Sequence, residues 1–200
     1  MTIEHYKRIR KIIKGGNNRH KARNLLLINM QANTSLRSSD VLKLKIGDVY
    51  REGEFLKSFW IEQKKTKKQT AINILECIVK DLKEAQKKYE ERFCVDYFNH
   101  SGFALFPSER HGYNSFKPIS YSSYFMMIKS WIKEIGLNPD LYGTHSLRAS
   151  VPLDYFRKTG DLATTSKLFG HSQISTTSRY IDEVAKEKAS QVRETFYYSD

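Results

Sequence analysis

Four short stretches carry side chains able to hold and break a charged ester. In GTHSLRAS, His145 and Arg148 stand three residues apart, on one face of a helix start. Backbone N–H groups there already favour anions. A guanidinium fork and an imidazole added to them would clamp a phosphate and exchange a proton with it; a histidine that merely caps the helix explains the pattern equally well. In NTSLRSSDVLKLKIGDV, Arg37 sits at a loop-to-helix junction, with Asp40 placed to orient its guanidinium. An exposed Arg–Asp pair is the plainer reading. In IEQKKTKKQTAINI, Lys64, Lys65, Lys67 and Lys68 occupy a hairpin tip, where a protonated amine can reach a phosphate or a leaving oxygen. A solvated turn is the alternative. In LFGHSQISTTSRY, Gly170 permits a tight turn, His171 opens a new segment and Tyr180 follows nine residues later. Tyrosine is a poor nucleophile at its ordinary pKa of about 10. Nearby cations favour the phenolate. With 12 tyrosines in the chain, a packed ring is the competing explanation.

These stretches need a scaffold. Apolar spacing predicts helices over Ile3–Lys14, His20–Ala32 and a short segment from Ser35 or Ser38 to Leu44. The period then changes. Val49-Tyr50, Phe55–Glu62 and Thr70–Ile74 read as a small three-stranded antiparallel sheet. Leu75, Ile78, Val79, Leu82, Ala85 and Tyr89 return to helical spacing, and Phe103–Phe106 is short and extended. Ser120 caps a helix through Ile135, stopped by Gly136. Further helices are expected at Ser146–Lys158, Asp161–Phe169, Ser175–Tyr180 and Asp182 to about Thr195, with Pro152 a kink or a first-turn residue. The fold class is mostly α with a small β-sheet, an α+β arrangement.

The 200 residues carry no Pro/Gly/Ser-rich linker, so one domain over 1–200 is expected, with 40% hydrophobic residues to build its core. Cys77 and Cys94 have no metal-ligand spacing, so neither a disulfide framework nor a metal site is expected. The N-terminal MTIEHYKRIRKIIK lacks the apolar stretch of a signal peptide. A net charge of +12 favours a polyanionic partner, nucleic acid before a membrane surface.

Taken together and in order, these residues resemble the tyrosine recombinases, the phage integrase family. The family's H-x-L-R box reads HSLR. Its L-G-H box, followed by a nucleophilic tyrosine, reads FGH and then Tyr180. Its first arginine box reads SLRSSD, and its hairpin K-T box reads KKTKK, which aligns the catalytic lysine with Lys65, directly before Thr66, with Lys64 and Lys67 as the alternatives. The resemblance covers roughly Arg23 to Lys186. Ser35 and Lys67 stand where the family pattern often has glycine, Asp40 where glutamate is common, and Ala149 where a basic or polar residue is usual.

The resemblance implies a catalytic-domain fold and cleavage of DNA through a 3′-phosphotyrosine. Tyr180 would be the nucleophile, His145 the general base, Lys65 the general acid, and Arg37, Arg148 and His171 the donors to the phosphate. Lys64, Lys67 and Lys68 would contact DNA, and Asp40 would orient Arg37. It implies no metal, cofactor, nucleotide or membrane. The partner would be double-stranded DNA, with a monomer in solution assembling as a tetramer in the recombination synapse. The setting would be the cytoplasm of a bacterium or phage host, at the nucleoid. No core-binding domain is expected within the chain. The tail from about 182 to 200 is expected to pack on a neighbouring protomer or on its own domain. Two rival readings share the scaffold: a DNA-binding regulator without catalysis, and a type IB topoisomerase-like relaxase.

Overall fold

The computed structural model describes residues 1–65, 67–108 and 117–170, together with 175, 177, 178, 181 and 182. Helix α1 (Ile3–Gly15) starts at Thr2, whose Oγ1 accepts from His5 N at 3.2 Å, and it buries Tyr6, Ile9 and Ile13. Helix α2 (Lys21–Thr34) is buried along most of its length, with Leu26, Leu27, Ile28, Met30 and Ala32 fully enclosed. It is the central element, packed against α1 and against α5 (Glu76–Phe93), which turns Ile78, Leu82, Ala85 and Tyr89 inward. Helix α6 (Tyr121–Glu134) begins where Ser120 accepts from Ser123 N at 3.0 Å. All four helices fall within a few residues of the sequence expectation.

The β region departs from it. The expected three-stranded sheet is two separate two-stranded ladders. The first pairs β1 (Tyr50–Arg51) with β2 (Glu54–Phe55); the second pairs β3 (Ser58–Glu62) with β4 (Gln69–Asn73), Ser58 opposite Asn73 and Glu62 opposite Gln69. The split falls between Leu56, whose N–H bonds back to Val49, and Lys57, whose carbonyl accepts from Ile74. One continuous run of β-formers thus serves two partners. Val49 is not in a strand but ends α4 (Ile46–Val49), a single-turn helix like α3 (Ser38–Val41). The extended segment near Phe103–Phe106 pairs with the chain before α4, Leu105 N donating to Leu44 O and Ile46 N to Phe103 O.

The expected helix Ser146–Lys158 is broken in two. Helix α7 (Thr144–Arg148) ends at Ala149, and α8 (Ser150–Thr159) begins there, with Pro152 in its first turn. Helix α9 (Leu162–Phe169) follows, capped by Asp161 and closed by left-handed Gly170. The last two expected helices lie largely outside the described residues. No helix among the described residues is long and apolar enough to cross a membrane.

A buried polar network staples α1 to the centre. Arg10 meets Asp81 through two hydrogen bonds of 2.8 and 3.2 Å, Asn29 Nδ2 donates to Asp81 Oδ2 at 2.7 Å, and Tyr6 donates to Asn29 Oδ1 at 3.1 Å. Removing the carboxylate strands three donors at once. Asp81→Ala is expected to cost about 2 kcal/mol, a fall in Tm of roughly 4–8 °C. Calorimetry should find Lys88→Ala neutral, since the Lys88–Glu91 pair is exposed at both ends.

Candidate active site

The site forms where the C-terminus of α2, the start of α3, the β3–β4 tip and α7 meet. Ser35 closes α2 in the left-handed region, at φ 51°. That turn carries the chain into Arg37, the N-cap residue of α3. Ser38 Oγ then donates to Thr144 Oγ1 at 3.2 Å, tying α3 to the first residue of α7. Tyr121 at the start of α6 lies 3.5 Å from the same hydroxyl.

Arg148 is only 5% exposed. Its Nε donates to Ser35 O at 2.6 Å and its Nη2 to Phe169 O at 2.8 Å. Both acceptors are carbonyls at helix C-terminal ends, where the backbone is most negative. His145, one turn earlier, is exposed. Partial desolvation draws its pKa below the ordinary 6.5, and the charges of Arg148, Arg37 and Lys65 lower it further. These four expected site residues therefore share one electrostatic neighbourhood. The imidazole is held neutral, as a proton acceptor near neutral pH must be.

Asp40 does not orient Arg37. The expectation placed both residues on one helical face, but Arg37 precedes the helix with extended backbone, φ −64° and ψ 148°, and its side chain leaves in another direction. Asp40 is fully buried and holds the hairpin instead, its Oδ1 accepting from Lys64 N at 3.0 Å and lying 3.4 Å from Lys43 Nζ. Arg37 is oriented by Gln63, whose Oε1 accepts from its Nη1 at 2.6 Å. Sequence reasoning missed Gln63. The signal was there: strand alternation puts Phe59 and Ile61 inward, and Gln63 is next in that series.

The hairpin tip carries Lys64, Lys65, Lys67 and Lys68 on exposed positions. Lys67 takes φ 56° and its Nζ lies 3.7 Å from Glu62 Oε1, so its charge is shared with its own ladder. Both positions where the family pattern often has glycine, Ser35 and Lys67, are thus left-handed. A non-glycine residue there costs about 1–2 kcal/mol. His171 and Tyr180 lie outside the described residues.

Several other basic residues serve the fold. Arg23 is buried and donates to Pro107 O at 2.9 Å, Arg8 to Ile135 O at 2.5 Å, and Lys129 to Pro139 O at 2.5 Å.

An NMR titration of the His145 ring checks the electrostatics. The midpoint is expected below 6.5 in the isolated protein. It should rise in Arg37→Ala, which removes a repelling cation, and rise again when a phosphodiester binds and offsets the three positive charges. A midpoint indifferent to Arg37 would mean that the guanidinium does not act on the ring.

The family model described as "Phage integrase family" matches residues 1–187. The chain is 32% identical over 149 residues to the probable integrase/recombinase YoeC of Bacillus subtilis (strain 168), covering 74% of this chain and 71% of that protein. It is 27% identical over 181 residues to the tyrosine recombinase XerC of Caldanaerobacter subterraneus subsp. tengcongensis, covering 90% of this chain but 46% of the relative. A crystal structure of the XerH site-specific recombinase, in a post-cleavage complex with palindromic difH substrate, superimposes with a TM-score of 0.70 at 24% identity, covering 97% of this chain and 53% of that one. That likeness is one of fold, and it extends over about half of the XerH chain. The model match, the YoeC relationship and the shared scaffold lead to one conclusion: this chain belongs to the phage integrase family.

Proposed function

We propose that the chain is the catalytic unit of a site-specific DNA recombinase that cuts and rejoins DNA through a 3′-phosphotyrosine. The observation that carries this reading is the gathering of the cations Arg37, Lys65 and Arg148 about His145, whose pKa they lower together with its partial burial. Such a cluster suits a phosphodiester, whose transition state concentrates negative charge on its non-bridging oxygens.

In this mechanism the Tyr180 hydroxyl attacks the scissile phosphorus and the bond to the 5′-oxygen breaks. His145 takes the phenolic proton, and Lys65 gives one to the departing 5′-hydroxyl. Arg37 and Arg148 bind the non-bridging oxygens, and His171 donates a further hydrogen bond. The ester energy stays in the phosphotyrosine, so the reverse attack by a 5′-hydroxyl from another duplex rejoins the strand without a cofactor. Double-stranded DNA is the partner, and Lys64 and Lys68 contact its backbone. Four protomers acting on two duplexes complete the exchange. The reaction takes place in the cytoplasm, at the nucleoid.

Nicked suicide duplexes bearing candidate attachment sites test this directly. The wild-type chain is expected to form a denaturation-resistant protein–DNA adduct and Tyr180→Phe none. Arg37→Ala or Lys65→Ala should slow adduct formation by roughly 10²–10³-fold. Site-specific binding without any adduct would favour the regulator. Relaxation of plasmids lacking an attachment site would favour the relaxase.

A further inference from the structure

The side chain of Gln63 stands at an inward strand position and is 6% exposed. A polar group so enclosed must have partners. Its Oε1 faces Arg37 Nη1 at 2.6 Å, and its Nε2 donates to Thr70 Oγ1 at 3.1 Å on the opposite strand. The amide cannot be reversed without setting its donor against a guanidinium that only donates.

The backbone of the same residue closes the hairpin tip. Gln63 N donates to Lys68 O at 3.0 Å, and Gln63 O accepts from Lys67 N at 2.8 Å. Lys65 lies inside this closed loop. A second tie runs from α3, where Asp40 Oδ1 receives Lys64 N. The third neighbour is the end of α9: a Cβ built on left-handed Gly170 would sit 3.7 Å from Gln63 Nε2. One amide thus binds the Arg37 guanidinium and the opposite strand of the hairpin, and it lies next to the end of the helix whose Phe169 carbonyl holds Arg148.

We propose that Gln63 is a positioning residue that locks Arg37 and the Lys65 hairpin into one frame, and that its neutrality preserves the Arg37 charge for the phosphate. The contrast within the molecule supports this. Arg10, which serves the fold, is held by the carboxylate of Asp81. Arg37 is held by an amide, which orients a guanidinium without opposing its charge. The catalytic half of the proposal rests on the recombinase reading above.

Three variants test it. Gln63→Met keeps the volume and removes the hydrogen bonds to Arg37 and Thr70. Gln63→Glu keeps the acceptor but adds an opposing charge. Thr70→Val removes only the partner of the amide nitrogen, at a half-buried site where folding is least at risk. In single-turnover cleavage of a suicide duplex, Gln63→Met and Gln63→Glu should each be slower by about 10²-fold. Thr70→Val should be slower by a smaller factor, and affinity for the uncut duplex should change far less than the rate. The His145 midpoint, followed by NMR without DNA, should move up in Gln63→Glu, because the Arg37 charge is then partly offset. The proposal is overturned if the folded variants cleave like wild type, or if Gln63→Glu leaves the His145 midpoint in place. Absence of any adduct in the wild type would overturn the recombinase reading instead, and the titration would still decide whether Gln63 governs the field of Arg37.

Discussion

The site depends on a buried cation held by backbone. Arg148 is almost wholly removed from water, and its guanidinium bridges Ser35 O at the end of α2 and Phe169 O at the end of α9. Taking a cation out of water is costly unless oriented dipoles replace the lost hydration. Two helix C-termini supply such dipoles, and the guanidinium in turn satisfies carbonyls that have no partner within their own helices. The same contacts join segments 113 and 21 residues apart in the chain. The helix ends cannot be placed independently of the arginine, nor the arginine independently of them.

Around that anchor the scaffold uses short, constrained elements. Helices α3 and α7 are one turn long, and neither would persist alone. They are held by the Ser38–Thr144 hydrogen bond and by burial of Val41 and Leu147. The hairpin is fixed at its base by the pairing of Phe59 with Ile72 and at its tip by Asp40 and Gln63. Left-handed Ser35 and Lys67 are the bends that let chain and side chain reach these positions. The conformational strain at these two bends is offset by the well-packed core around α2.

Much of this was legible in the sequence, for identifiable reasons. Amphipathic spacing defines α1, α5 and α6, with Ser120 capping the last, because each buries one face whatever its neighbours are. The boxes containing Arg37, Lys65, His145 and Arg148 were recognisable by residue type and order. The β region was less legible, since a continuous run of β-formers does not say how many partners it serves. Helix α3 falls inside the short helix expected up to Leu44, whereas α4 escaped because four residues are too few to show a period.

Sequence alone therefore determined the inventory: a basic chain, a mostly helical fold and the side chains proposed to bind and cleave a phosphodiester. Only the tertiary structure decided who holds whom. Spacing assigned Asp40 to Arg37, but the extended backbone at Arg37 sends the guanidinium to Gln63 and leaves Asp40 to the hairpin. Two partners of Arg148, Ser35 O and Phe169 O, are backbone carbonyls, which every residue possesses and no sequence pattern marks. Local pattern records which groups are present and which face they occupy. Pairing across a fold depends on directions that are set only when distant elements pack.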